Sequence, residues 1–376
     1  MKGNDKMRNI IAFIKRENVL VISALLAVIS CFFVPPDGGY AEYIDLRVLA
    51  LLFALMAVMA GFRNMYVFSR IGRALLERTR STRGLCALLV LLCFFSSMLV
   101  TNDVALITFV PFTVEVLTMC GKRKLMIPVI VLQTIAANLG SMLTPPGNPQ
   151  NLYIYSVSGM GAVEFMAIML PFTLLSLILL VLAVLFLGSE KTDRMETKIK
   201  YPAVNKPRLY MYIALFIISL LAVLRIIPYY IPAGLAVICL IAADRRVFIN
   251  IDYGLLLTFV SLFVLVGNLA RIPVIFDFIS GLTQEYPFAV SVGASQIISN
   301  VPAALLISGF TNDYTAVLKG VNVGGLGTII ASMASLISYK IYASVPGAKK
   351  GKYMLVFTGL NIVFLAALCA LEIISA

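Results

Sequence analysis

The sequence predicts an all-α polytopic membrane protein made of two inverted-topology repeats, each holding a re-entrant hairpin and a broken transmembrane helix. Three observations carry this. Of the 376 residues, 61% are hydrophobic and 13% charged, with a mean hydropathy of +0.98, against about 25% charged residues in an ordinary soluble domain. Apolar runs long enough to cross a bilayer recur along the whole chain. One odd apolar segment occurs twice, as NLGSMLTPPGNPQNLYIY (Asn138 to Tyr155) and NVGGLGTIIASMASLISY (Asn322 to Tyr339). Asn138/Asn322, Gly140/Gly324, Thr144/Thr328, Leu152/Leu336 and Tyr155/Tyr339 match at a constant offset of 184. Both copies are broken mid-way by Gly, Thr and small polar residues, and broken backbone at membrane depth is tolerated only where protein or a water-filled cavity satisfies it.

The elements follow in order. A basic start and an apolar run to Val34 predict a first helix over 19–34; the run ends in Pro35-Pro36-Asp37-Gly38-Gly39, not in a small-residue cleavage pattern, so the helix is read as retained. A second helix spans 46–62. Residues 64–80 set Met65, Val67, Phe68, Ile71 and Leu75 against Arg70, Arg73 and Arg78, the spacing of an amphipathic surface helix. Residues 84–118 are apolar with basic flanks at both ends, which predicts an inner-face hairpin whose tip is Thr101-Asn102-Asp103. The first broken helix covers 125–157 and a closing helix 163–188, completing a first half over 1–188. A polar stretch, 189–208, reads as a cytoplasmic linker to a second half, 209–376. There an extra helix (209–227), two further crossings (232–243 and 254–270) and a surface segment (272–284) precede an outer-face hairpin at 287–310 with its tip at Ser299-Asn300. The second broken helix (316–341) and a last helix (353–374) finish the chain. The hairpins also correspond, Ser97/Ser295, Asn102/Asn300, Ala105/Ala303 and Phe112/Phe310 matching at an offset of 198.

The formal charge of +12 is a matter of topology rather than of nucleic acid. Lys and Arg cluster at 2–16, 63–83, 122–124, 191–208, 245–246 and 349–352, and Arg47, Arg225, Arg271 and Lys319 stand apart. The positive-inside rule makes the rich face cytoplasmic. In a cell (inner or plasma) membrane the N-terminus is then expected on the cytoplasmic side and the C-terminus outside, the hairpins open to opposite faces, and the repeats are inverted. The six cysteines contain no CxxC pair and indicate neither a zinc site nor a disulfide framework. There is no His, so a proton relay must use Asp, Glu, Lys or water, and no Trp, so Tyr must supply the interfacial belt.

Among residues that can carry chemistry, Asp103 stands first: an intramembrane carboxylate is normally paired or functional. It can take up a proton or ligate Na+ as a hard oxygen donor, and it can also cap the helix it starts. Asn102 and Thr101 beside it, with Asn148 and Asn151, complete a candidate cation-coupling set. Asn102, Asn138, Thr144, Ser299, Asn300, Asn322, Thr328 and Ser332 form a candidate substrate set at tips and breaks, where half-helix N-termini present N–H groups to a polar oxygen. Lys319, three residues before Asn322, either snorkels to the outer surface or faces the cavity to pair with Asp103 or substrate.

Asn102-Asp103 at a hairpin tip, followed by ANLGSMLTPPGNPQN (Ala137 to Asn151), resembles the arsenite permease and citrate transporter branch of the ion transporter superfamily, which also holds the divalent anion/sodium symporters. The likeness covers roughly residues 45–376, with SNVPA (Ser299 to Ala303) and NVGGLGT (Asn322 to Thr328) fitting in the second half. It implies that tips and breaks together form substrate and cation sites near mid-membrane. The symporter pattern has Ser-Asn-Thr at both tips; Thr101-Asn102-Asp103 is closer to the arsenite permease form, and Ser299-Asn300-Val301 lacks one hydroxyl ligand of a second sodium site.

The expected function is therefore a secondary active transporter. It would move a small anion or a metalloid oxyacid (arsenite, a di- or tricarboxylate or similar) by alternating access, coupled to H+ or Na+. A Na+/H+ antiporter of the same fold is the alternative. No P-loop and no HExxH are present, which speaks against ATP drive and against an intramembrane metalloenzyme. No cofactor beyond the coupling ion is implied. The partners are the substrate and the lipid bilayer, not nucleic acid, and a homodimer is compatible with the sequence.

Overall fold

The computed structural model describes residues 17–76, 79, 81–188 and 201–375. The basic N-terminal cluster at 2–16, Arg78 and most of the linker (189–200) lie outside the described residues. Eighteen α-helices and no strand are described. Seven helical segments are long and apolar enough to cross a membrane: Leu46–Asn64, Asn102–Met119, Arg123–Ser141, Ala162–Leu185, Lys206–Val223, Tyr253–Ala270 and Lys350–Ser375. The chain is an all-α multi-pass membrane protein.

Helix α1 (Asn18–Phe33) leads through a short turn of helix, α2 (Tyr40–Tyr43), into α3 (Leu46–Asn64) and the amphipathic α4 (Val67–Leu76). Next come α5 (Thr82–Ser96) and α6 (Asn102–Met119), joined at Thr101. The first broken helix is α7 (Met126–Ser141), a 3-10 turn over Pro145–Gly147, and α8 (Pro149–Ser158). Then follow α9 (Ala162–Leu185), α10 (Lys206–Val223), α11 (Tyr230–Ala243), α12 (Tyr253–Ala270) and α13 (Pro273–Glu285). Helices α14 (Pro287–Ile298) and α15 (Asn300–Ser308) meet at Ser299. The second broken helix is α16 (Tyr314–Val323) and α17 (Met333–Ala343), and α18 (Lys350–Ser375) ends the chain.

Acidic and amide residues punctuate these helices. Asp45, Asn148, Asn205, Asp252 and Asp313 each accept a backbone N–H from the first turn that follows, satisfying donors that have no partner inside the helix. Helix α10 ends at Val223, earlier than the run to 227 suggested, because Arg225 turns the chain at φ 62°. Its guanidinium then donates to the carbonyls of Tyr155 (2.7 Å) and Gly159 (2.8 Å), closing the C-terminal end of α8. That accounts for one of the isolated basic residues.

The two broken helices interlock, and the same contacts are built twice. Arm α5 lies along α7, and arm α14 along α16, so each first arm packs on the first half of its own broken helix. The second halves cross over: α8 packs on α15 of the other hairpin, and α17 packs on α6. Two close approaches make this possible. A Cβ on Gly140 would lie 2.1 Å from the Phe94 carbonyl and 2.6 Å from Ser97 Oγ; one on Gly324 would lie 2.8 Å from the Ser295 side chain. Gly140/Gly324 and Ser97/Ser295 are the pairs already matched in sequence. Helix α7 is the hub and is buried along nearly its whole length, covered by α9 and α18. Helices α10 and α11 pack on α3, and α1 packs on α12.

Candidate functional site

Four helix N-termini meet at one cavity. Asn102 and Asp103 begin α6, Pro149 and Gln150 begin α8, Asn300 to Pro302 begin α15, and Ser332 with Met333 begin α17; all line it. Glu17, Asp252 and Ser299 complete its polar wall, and among the described residues no Lys or Arg lines it. Thr101, Ser299 and Ser332 stand at N-cap positions yet make no side-chain cap bond; the Asn300 N–H of α15 donates instead to the Ala331 carbonyl. Helix N-termini carry partial positive charge. Here they face three carboxylates, Glu17, Asp103 and Asp252.

Asp103 also lines a second cavity, together with Thr101, Asn148, Asp252 and Arg63. Asp103 is only partly covered, yet its Oδ1 is shielded and has no hydrogen-bond partner among the described residues. Its backbone N–H donates to Asn102 Oδ1 at 2.9 Å. The carboxylate therefore does not serve as the cap of its own helix, and it faces the space shared by the two cavities.

Behind the cavity wall, the asparagines join the two breaks. Asn102 Nδ2 donates to Asn138 Oδ1 (3.0 Å), which also receives Ser332 Oγ (2.9 Å), and Asn138 Nδ2 donates to the Gly325 carbonyl (3.4 Å). Asn148 Nδ2 reaches Ser141 Oγ and Asn322 Oδ1, both at 3.2 Å, and Asn322 Nδ2 donates to Asn151 Oδ1 at 2.7 Å. Asn151 Nδ2 spans three carbonyls at 3.2 Å, those of Ser141, Met142 and Thr144. These are the carbonyls that the break in the helix leaves without i+4 donors. Tip 1 and both breaks thus form one buried amide network.

The residues singled out in the sequence divide accordingly. Thr101, Asn102, Asp103, Asn148, Ser299, Asn300 and Ser332 reach one of the two cavities. Asn138, Asn151 and Asn322 stand behind the wall, buried and bonded to protein. Thr144 and Thr328 are clamps. The Thr144 hydroxyl donates to the Met98 carbonyl, and the Thr328 hydroxyl to the Gln296 carbonyl (3.0 Å). Positions 98 and 296 are each four residues before the tip Asn, so one break-to-arm bond recurs in both halves.

Lys319 does not face Asp103: its Nζ lies 3.0 Å from Glu372 of α18 and 5.9 Å from the ring centroid of Phe172 of α9. The side chains are 22% and 13% exposed, so the ion pair is largely shielded, and neither residue lines the cavity. Glu372 was hidden in the sequence as the last acid of an apolar helix. Asp252, a helix cap in sequence terms, and Gln296, an unremarked polar residue in a hairpin arm, were also missed; no local pattern announces them.

Relatives agree with the geometry. A family model described as citrate transporter matches residues 10–312. The chain is 34% identical over 331 residues to an uncharacterized transporter of Methanocaldococcus jannaschii, covering 87% of this chain and 89% of the relative. It is 32% identical over 326 residues to the inner membrane protein YbiR of Escherichia coli, covering 82% and 84%. Over 136 residues, 36% of this chain and 27% of the relative, it is 35% identical to the silicon efflux transporter of Oryza sativa subsp. japonica. With broken helices, facing tips and a carboxylate-lined cavity between them, the chain is a membrane transporter and belongs to the citrate transporter family.

Proposed function

We propose that the protein is a secondary active transporter of a small neutral metalloid or silicon-type oxyacid, coupled to H+ or Na+ through Asp103 and working by alternating access. The observation that carries this is the cavity itself: four helix N-termini and two tips converge on a space lined by Glu17, Asp103 and Asp252, and among the described residues no Lys or Arg lines it. A hydroxyl-rich neutral solute can donate to the carboxylates and turn its oxygens to the positive ends of the converging helices. A di- or tricarboxylate would bring two or three further negative charges beside these acids, and Lys319, the one basic residue that the sequence offered it, is neutralised by Glu372. The name of the rice relative, a silicon efflux transporter, points the same way.

Inverted repeats supply the mechanism. The twice-built interlock supports a pair of equivalent units, and the charge pattern turns one of them over in the membrane. On that orientation Arg63 and Asn250, which line the second cavity, lie toward its cytoplasmic end. The test is counterflow in proteoliposomes with arsenite, silicic acid, citrate and succinate as the panel. Exchange of the neutral oxyacids with no exchange of the carboxylates is expected; exchange of citrate alone would overturn the substrate assignment. A Na+/H+ antiporter is favoured by one observation, that Asp103 and Asp252 both line both cavities. It predicts proton movement on Na+ addition with no oxyacid present.

A further inference from the structure

The two breaks are fastened differently. Break 1 is fastened to itself: Asn151, on α8, binds the Ser141 and Met142 carbonyls at the end of α7. The residue at the same offset in the second half is Ser335, whose hydroxyl has no partner among the described residues. The work of Asn151 is done there by a residue outside the broken helix. Gln296, on arm α14, donates from Nε2 to the carbonyls of Gly324 (2.8 Å) and Leu326 (3.0 Å) and accepts the Thr328 N–H on Oε1 (2.9 Å). In the first half the matching position is Met98, whose side chain can offer none of these bonds.

A second pair of bonds ties the same parts. The Asn300 N–H donates to the Ala331 carbonyl at 2.9 Å, and Ser299 Oγ reaches the same oxygen at 3.4 Å. Ser299 holds φ at 75°, a backbone conformation unusual for a residue with a side chain, which persists only when its surroundings fix it.

We propose that Gln296 is the positioning residue of the second half: it fastens break 2 to the arm that carries Ser299 and Asn300, so that tip 2 and break 2 move as one piece, whereas in break 1 the matching carbonyls are held from within by Asn151. This rests on the transport reading for its functional consequence. Ser299, Asn300 and Ser332 line the cavity from this one piece, so loosening it misplaces three cavity-facing groups at once, without touching any of them.

The test uses the full chain in nanodiscs and in proteoliposomes, with Gln296→Met, which copies the first half, and Gln296→Glu, which keeps an acceptor for the Thr328 amide. Hydrogen exchange read by mass spectrometry should quicken on the order of tenfold over 325–328 and 299–301 in Gln296→Met, one lost hydrogen bond being worth about a factor of ten. Residues 143–151 should be unchanged, and Gln296→Glu should fall between the two. In counterflow, the apparent KM should rise with Vmax per folded molecule held. Unchanged exchange over 299–301, or a KM that stays fixed while Vmax falls with the amount of folded protein, would overturn the proposal. If the wild-type chain moves none of the panel, the transport reading fails, and the exchange comparison still decides whether Gln296 fastens tip to break.

Discussion

Removing the carboxylate of Glu372 should damage the fold but not the transport site. In Glu372→Gln the Lys319 ammonium keeps its charge and loses its counter-ion, in a place where the two side chains are only 22% and 13% exposed. Breaking a buried pair costs about 3–5 kcal/mol, whereas an exposed pair is worth about 0–1 kcal/mol. The exposure here sits nearer the buried limit, and Phe172 offers the stranded charge a weak substitute of roughly 0.5–1 kcal/mol. About 2–4 kcal/mol of destabilisation is therefore expected. Replacing both partners by apolar residues, Lys319→Met with Glu372→Leu, removes the stranded charge and should come within about 1 kcal/mol of the parent. The assay is unfolding of the parent, Glu372→Gln and the double variant in mixed micelles, with oxyacid counterflow measured on the same three proteins. If the double variant is as unstable as the single one, the pair is not what holds α16 to α18. If it is stable but cannot exchange substrate, Lys319 meets the solute after all.

Three further outcomes follow from contacts already described. Gly140→Ala drives a Cβ to 2.1 Å from the immobile Phe94 carbonyl, whereas Gly324→Ala meets the Ser295 side chain at 2.8 Å; thermal unfolding should show the first clearly worse than the second, and equal losses would contradict the packing. Asn148→Ala removes the cap of α8 and the donor to Asn322 Oδ1, and should lower stability by about 2–4 kcal/mol, the sum of a lost cap and a stranded buried acceptor. At the loop between α1 and α3, the Arg271 guanidinium, 2.7 Å from Asp37, holds that carboxyl below its usual range. A depressed folded value means that the link contributes fully above the unfolded value of about 3.9 and is lost as pH falls from there through the lower folded value. Protection of residues 37–43 from exchange should thus fall below about pH 4, and Arg271→Gln should abolish that step.

The fold was legible because its irregularities are written in local chemistry. Pro145, Pro146 and Gly147 cannot continue a helix, Asn148 can start one, and Ser332 repeats that start at the same spacing. Side-chain partners were less legible. Thr144 and Thr328 recur at one offset, and recurrence marks a shared constraint without saying which; in both halves it is a bond to the hairpin arm. Asn138, Asn151 and Asn322 were read as ligands because amides suit polar solutes, but broken backbone needs the same donors and uses them first. Lys319 was judged against the residues near it in sequence, while its partner lies 53 positions away on another helix. Asp252 and Gln296 gain their importance from packing of α12 against the tips and of α14 along α16, which no window of sequence contains.

The coupling role of Asp103 is the claim on which the transport account depends. Its direct test is accumulation of the oxyacid in proteoliposomes under separately imposed H+ and Na+ gradients, comparing the parent with Asp103→Asn. The parent should accumulate solute under one of the two gradients, and the variant should exchange solute at equilibrium yet fail to concentrate it. A variant that concentrates solute like the parent, with the same ion dependence, would contradict the account.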